Sequence, residues 1–92
     1  MIKTFKCKET EKLFNGSKNK LHADIQTRAF IKLNQIDDAL DLKGLTFLKS
    51  NKLHALRGDR QNQYAIWINK KWRICFEYFD GDFYDLEITD YH

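Results

Sequence analysis

The stretch QYAIWINKKWRICFEYFDGDFYDLEITDYH, residues 63–92, decides the fold. Apolar and polar residues alternate along three runs within it, at 63–69, 72–79 and 83–91, and alternation with a period of two predicts β-strands. A shorter run at 52–57 adds a strand before them, and the polar residues 58–62 form the turn between. Short connections favour antiparallel neighbours, so we predict a four-stranded antiparallel meander.

The turn around residues 80–81 sets how the last two strands pair. A two-residue loop would place Ile74 opposite Glu87, and because cross-strand partners share a face, an acid would enter the core. We therefore predict a three-residue loop at 79–81 with a bulge turn, which places Ile74 opposite Leu86. The same register sets two further pairs: Phe76 with Tyr84, and Arg73 with Glu87.

The first fifty residues predict a short strand and two helices that cover the sheet. Residues 1–6 alternate, and residues 8–15 form a short helix that Gly16 ends. Residues 21–42 form a long helix, capped by Asp24 at its start and ended by Gly44. Its apolar stripe has helical spacing: Leu21, Ile25, Ala29, Leu33, Ile36 and Leu40. The prediction is one α+β domain, residues 1–92, with the strand and helices packed on the sheet.

Composition narrows the class of protein. The chain is 42% hydrophobic with 14% aromatic residues, which is typical of a folded domain. No apolar run is long enough for a membrane span and no signal region is seen, so we expect a cytoplasmic protein with no membrane contact. Cys7 and Cys75 form no Cys-x-x-Cys pair, so we expect two reduced thiols, no metal and no cofactor.

Positive charge is concentrated in the middle of the chain. Residues 49–73 include seven basic residues and one acid, Asp59, although the net charge of the chain is only +3. The seven are Lys49, Lys52, Arg57, Arg60, Lys70, Lys71 and Arg73. Such a block favours a polyanionic partner such as RNA, and an ordinary solvated basic surface is the alternative.

Four segments in order carry a family resemblance: MIKTFK at 1–6, KLHALRGDR at 52–60, WRICF at 72–76 and DYH at 90–92. Together they resemble the HigB toxins of the RelE/ParE superfamily. The resemblance implies a microbial-ribonuclease-like α+β fold and a ribosome-dependent mRNA endonuclease that needs no metal. The partners that the resemblance implies are the 70S ribosome, mRNA and a HigA-type helix-turn-helix antitoxin. Operator DNA would be contacted only through the antitoxin.

The resemblance also assigns site residues. Metal-independent RNA cleavage uses the substrate's own 2′-hydroxyl and needs a base, an acid and positive charge at the phosphate. His54 matches a family position for proton transfer or for orienting the 2′-hydroxyl. His92 matches the position of a general acid or base. Which of the two histidines is the base stays open. Asp90 would orient His92 or a substrate hydroxyl, Tyr91 would stack a base, and Arg73 would stabilise charge on the phosphate.

Simpler interpretations stay open for these residues. His54 could be a solvated edge histidine, and Arg73 could serve a salt bridge with Glu87. Arg57 matches a basic family position and is assigned to phosphate or ribosomal RNA. The other basic residues are assigned to ribosomal RNA: the basic group at 3–20, Lys52, Arg60, Lys70 and Lys71. Two alternative functions remain: a ParE-like inhibitor of DNA gyrase without nuclease chemistry, and a plain RNA-binding module.

Overall fold

The computed structural model describes residues 1–90 and shows two helices against a four-stranded antiparallel sheet. The helices are α1 (Lys8–Phe14) and α2 (Gln26–Asp38), and the strands are β1 (His54–Ala55), β2 (Tyr64–Trp67), β3 (Arg73–Phe79) and β4 (Asp82–Thr89). Short 3-10 turns connect them: Ala23–Ile25, Leu42–Thr46, Lys49–Asn51 and Gly58–Arg60. The strand order is β1-β2-β3-β4, so the α+β meander is confirmed.

Helix α2 is shorter at its C-terminal end than predicted. The chain leaves the helix at Ala39, whose backbone is extended, five residues before the Gly44 stop that we expected. The Asp41 carboxylate accepts a hydrogen bond from Gly44 N at 3.0 Å and begins a separate 3-10 turn. Leu40, predicted to extend the apolar stripe, is consequently 87% exposed. The central stripe residues of α2 are buried as predicted.

The start of the second helix also differs from the prediction. Asp24 does not cap it; instead the His22 side chain accepts a hydrogen bond from Asp24 N through Nδ1 at 3.4 Å. This contact caps the 3-10 turn Ala23–Ile25, from which α2 continues at Gln26. The regular helix is thus thirteen residues long, preceded by one tighter turn.

The first six residues form less strand than predicted. Two isolated parallel bridges join Ile2 to Phe83 and Phe5 to Leu86, so the N-terminal segment lies along the outer edge of β4. Thr4 fastens it there, because its hydroxyl accepts a hydrogen bond from Asp85 N at 2.8 Å. The N-terminal segment therefore covers the edge of the last strand, which would otherwise present unpaired backbone groups.

The predicted register between β3 and β4 is wrong. The loop has two residues, Asp80 and Gly81, both with positive φ (50° and 88°), the geometry of a tight hairpin turn. The expected clash of acids with the core is avoided by a bulge in β4, where Asp85 takes φ 55° and the register shifts. Beyond the bulge the pairs are as follows: Ile74 with Ile88, Cys75 with Glu87, and Arg73 with Thr89.

The core lies between α2, α1 and one face of the sheet. Phe76 and Phe83 are fully buried, with their ring centroids 5.4 Å apart in an edge-to-face arrangement. Aliphatic side chains fill the rest: Leu13, Ile25, Leu33, Ile36, Leu45, Ile66, Ile74, Leu86 and Ile88. The helices occupy only this face, so the opposite face of the sheet is left for the candidate site. Over residues 1–90 no helix has the length and apolar character needed to cross a membrane.

A buried hydroxyl joins α1 to β4 close to the end of that strand. Thr10 is fully buried and its Oγ1 accepts a hydrogen bond from Ile88 N at 3.0 Å. We expect Thr10→Val to lower the free energy of unfolding by about 1–3 kcal/mol, because a buried N–H loses its acceptor while the side-chain shape is kept. Urea denaturation measures this, with the exposed Thr27→Val as control. Equal stability of the two variants would contradict the expectation.

Candidate active site

Backbone pairing aligns two rows of side chains across the open face of the sheet, and directly paired residues point to the same side. One row runs His54, Ala65, Cys75, Glu87, and the next runs Trp67, Arg73, Thr89. His54 and Arg73 therefore share this face, with Cα atoms about 12 Å apart from the strand spacings.

His54 is positioned by an unusual backbone conformation two residues earlier. The predicted strand at 52–57 is reduced to two residues, because Lys52 takes a left-handed conformation (φ 47°) after the 3-10 turn. His54 Nδ1 lies 2.7 Å from the Lys52 carbonyl oxygen. A carbonyl only accepts, so the ring hydrogen is on Nδ1 and Nε2 carries the lone pair in the neutral ring. Nε2 is therefore the atom that could take a proton from substrate.

Arg73 is held at the first position of β3 by backbone oxygens. Its Nη1 donates to the Asn69 carbonyl at 2.7 Å and to the Trp72 carbonyl at 3.3 Å. The side chain is only 8% exposed, which fixes the direction of the guanidinium. Among residues 1–90, Nε and Nη2 donate to no described acceptor. A planar guanidinium held in this way has donors set in advance for a phosphate.

Trp67 is a site residue that the sequence interpretation did not identify. Its ring lies on the open face of β2, with Arg73 Cζ 4.0 Å and Lys52 Nζ 3.9 Å from the ring centroid. The aromatic ring thus orients two cations at the site. The signal was present in the alternation, which put Trp67 on the polar side of its strand.

Asp90 follows β4 and lies at the border of the open face. Its Oδ2 lies 3.7 Å from Lys71 Nζ, so the predicted RNA contact Lys71 and the predicted catalytic Asp90 are ion-pair neighbours. Tyr91 and His92 lie outside the described residues, and their assignments stay predictions. Of the five predicted catalytic residues, three are therefore placed by the structure, all at one face or its border: His54, Arg73 and Asp90.

The salt bridge on this face does not involve the predicted arginine. Glu87 pairs with Arg60, whose Nη1 lies 3.1 Å from Glu87 Oε1, and not with Arg73. The bulge causes this, because it moves Glu87 opposite Cys75. Arg57 and Lys70 are exposed at the two turns that flank β2. They extend the positive surface there but belong to neither row of paired side chains.

Cys75 lies in the floor of the open face but is a poor candidate nucleophile. It is 1% exposed, and burial raises the pKa of its thiol to about 11. At neutral pH the sulfur is protonated, whereas attack requires thiolate. Both cysteines have free thiols in the structure. In residues 1–90 no three His, Cys, Asp and Glu side chains form a group that could hold a metal ion.

Comparison with solved structures first shows the fold. YafQ from Escherichia coli strain BL21(DE3) superimposes with a TM-score of 0.63 at 13% identity, over 98% of this chain and 91% of that chain. A histidine-to-glutamine mutant of E. coli YafQ gives a TM-score of 0.66 at 11% identity with the same coverage. The fold is that of this group of small RelE-like proteins.

Sequence comparison then gives the family. A family model described as "RelE-like toxin of type II toxin-antitoxin system HigB" matches residues 3–92. The chain is 38% identical over 93 residues to the "Endoribonuclease HigB" of Proteus vulgaris, with both chains covered in full. The chain therefore belongs to the HigB-like toxins of type II toxin–antitoxin systems, and an antitoxin is its partner.

Proposed function

We propose that this chain is a ribosome-dependent mRNA endonuclease that cuts the codon in the ribosomal A site and so arrests translation. The observation that carries the proposal is the shared sheet face of His54, Trp67 and Arg73, with Asp90 at its border. RNA cleavage by the 2′-hydroxyl requires a base, an acid and positive charge at the phosphate, and this face offers a proton acceptor and a pre-oriented guanidinium. The endonuclease name of the P. vulgaris relative agrees with it.

The proposed chemistry assigns a role to each of the site residues. One histidine removes the proton of the 2′-hydroxyl, whose oxygen attacks the neighbouring phosphorus as the bond to the 5′-oxygen breaks. The products are a 2′,3′-cyclic phosphate and a 5′-hydroxyl end, which receives its proton from the general acid. Arg73 donates to the non-bridging oxygens as negative charge grows there. His54 and His92 share the two proton roles, Asp90 orients one of them, and Tyr91 stacks a base of the codon.

Basic residues around the face complete the proposed RNA-binding surface: Arg57, Lys52, Arg60, Lys70 and Lys71. Arg60 and Lys71 already have carboxylate neighbours, Glu87 and Asp90. Their contribution to RNA binding is therefore reduced, because each would exchange its ion pair with a carboxylate for a contact with phosphate. Lys52, Arg57 and Lys70 are exposed and have no carboxylate within salt-bridge distance among residues 1–90. These three contribute most of the contact with phosphates.

The proposed setting is the cytoplasm, where the translating ribosome is found. The antitoxin partner is proposed to be a HigA-type helix-turn-helix protein encoded beside the toxin, and operator DNA is reached only through it. A neighbouring reading frame of about a hundred residues with a helix-turn-helix pattern, a typical size for one domain, would agree with this assignment.

Cleavage on purified ribosomes tests the proposal. An mRNA is bound with its codon in the A site, and the protein is added with and without ribosomes. We expect cuts only when ribosomes are present, with cyclic phosphate and 5′-hydroxyl ends. His92→Gln should reduce the cleavage rate by about 10²-fold or more, because one proton transfer is lost. Lys43→Gln, which changes an exposed lysine outside the site, should cleave normally.

Two other outcomes would count against the nuclease. Intact mRNA beside a folded protein that still arrests growth would favour a ParE-like inhibitor of gyrase. Binding to ribosomal RNA without cuts, unaffected by His92→Gln, would favour a plain RNA-binding module. Ends with a 3′-hydroxyl and 5′-phosphate would show that water and not the 2′-hydroxyl is the nucleophile.

A further inference from the structure

A lysine is buried beside the candidate active site, and within residues 1–90 it has no acid to compensate its charge. Lys32, on α2, is 6% exposed, and its Nζ donates to the side-chain oxygen of Asn51. Asn51 is itself buried and donates to the Leu45 carbonyl at 3.0 Å, so its oxygen is held toward the amine. No carboxylate within residues 1–90 lies within 4.0 Å of Lys32 Nζ. A buried charge with only a neutral amide as partner is costly for the fold.

A second cation increases this cost. Arg28 lies one turn earlier on α2, and its Nη1 donates to the Ile68 carbonyl at 3.3 Å. Burial lowers the pKa of Lys32, and the charge of Arg28 lowers it further. Like charges four residues apart on a helix repel each other, so the free protein gains no stability from this arrangement. Such a pair is explained when a ligand brings the missing negative charge.

Both cations line a groove between α2 and the edge of β2 that reaches the candidate site. The groove has a volume of about 460 Å³, and no aspartate or glutamate lines it. Lys52 and Trp67 form its other wall, and the same Trp67 ring carries Arg73 at 4.0 Å. We call Arg28, Lys32 and Lys52 with this wall the cationic groove. Through the Trp67 ring it adjoins Arg73, which is proposed to hold the scissile phosphate.

We infer that the cationic groove binds a backbone phosphate of an RNA strand, next to the phosphate held by Arg73. The inference rests on the proposed function, which it extends from the reacting linkage to a neighbouring nucleotide. The donors of Arg28 and Lys32 supply charge, and Trp67 separates the two phosphate positions. Messenger RNA and ribosomal RNA both offer this chemistry, and the binding experiment distinguishes them.

The first measurement uses the free protein and pyrophosphate, so it does not depend on ribosomes or cleavage. We expect pyrophosphate at ten times its dissociation constant to raise the wild-type Tm by about 5–10 °C. Lys32→Gln keeps a donor for Asn51 but loses the charge, and it should lose most of this increase, as should Arg28→Gln. The control Lys43→Gln removes an equal charge outside the groove and should retain it. Equal increases in all four proteins would overturn the anion site.

The second measurement is binding to ribosomes whose A-site codon carries a 2′-deoxynucleotide, which blocks cleavage. Losing one phosphate contact should weaken binding about five- to eightfold at 0.1 M salt and reduce the slope of log K against log salt by about one. We expect this for Lys32→Gln and Arg28→Gln relative to Lys43→Gln. A difference that disappears without mRNA assigns the phosphate to mRNA, and one that persists assigns it to ribosomal RNA.

The two measurements separate failure of this inference from failure of the proposed function. Normal binding of Lys32→Gln to ribosomes, with wild-type affinity and salt slope, would overturn the RNA assignment even if pyrophosphate binds. Absence of ribosome binding by the wild-type protein would overturn the proposed function, and the pyrophosphate result would then decide whether the groove takes an anion.

Discussion

Replacement of Arg73 by lysine is expected to lower the rate of A-site cleavage by about 10²-fold while leaving the fold intact. The guanidinium uses Nη1 for two backbone carbonyls, and its other N–H groups are the ones proposed to hold the phosphate. A lysine amine has one nitrogen and cannot anchor itself to Asn69 and Trp72 and hold the phosphate with the same geometry. The charge is retained, so the loss would measure geometry and not charge alone.

Single-turnover cleavage with saturating ribosomes measures this rate without a contribution from binding. Arg73→Gln should lose more, about 10³-fold, because the charge is removed as well. Thermal unfolding of each variant controls for misfolding, and Lys43→Gln controls for a general change of charge. Cleavage by Arg73→Gln at the wild-type rate would remove Arg73 from the site and leave it a structural role under Trp67.

His54 carries the second large expected effect, and two substitutions separate its alternative roles. Asparagine can keep the hydrogen bond of Nδ1 to the Lys52 carbonyl but has no atom at the position of Nε2. Glutamine places a polar atom near Nε2 and does not titrate. If His54 transfers the proton, both variants should lose about 10²–10⁴-fold in the single-turnover rate. If it only orients the 2′-hydroxyl, His54→Gln should retain far more activity than His54→Asn.

His22 provides the matched control for these variants. It is exposed and caps a 3-10 turn through Nδ1, and asparagine can accept the same hydrogen bond. His22→Asn should therefore cleave at the wild-type rate. Wild-type cleavage by both His54 variants would contradict a catalytic role for His54 and would leave the proton transfers to other groups.

The fold class could be predicted because local alternation and helical spacing are set by neighbouring residues. The register of the last hairpin could not be predicted, because a longer turn and a bulge within β4 both remove acids from the core. A longer turn was predicted, whereas the chain keeps the tight turn at Asp80 and Gly81 and places the extra residue at Asp85. Nothing in the period of the strand distinguishes these two arrangements. The hydroxyl of Thr4, distant in sequence, helps to fix the bulge.

The site could be predicted only in part, because it also depends on contacts between residues that are distant in sequence. His54, Arg73 and Asp90 were found through the family resemblance, and the structure brings them to one face or its border. Trp67 and Lys32 were missed, because a tryptophan in a strand and a lysine beside an apolar stripe are ordinary in sequence. Their significance comes from burial and from what lies against them, which depends on the packing of α2 on the sheet.

The edge position of the N-terminal segment has a consequence for synthesis of the protein. Thr4 binds Asp85, 81 residues later, so the first residues made must wait for the last strand before they can pair. Chains emerge from the N-terminus, and closing so long a loop is slow compared with forming a helix. The nascent chain therefore lacks β4 and the neighbouring site residues until residues up to Thr89 have left the exit tunnel. During that interval the sheet is incomplete and the candidate site is not yet formed.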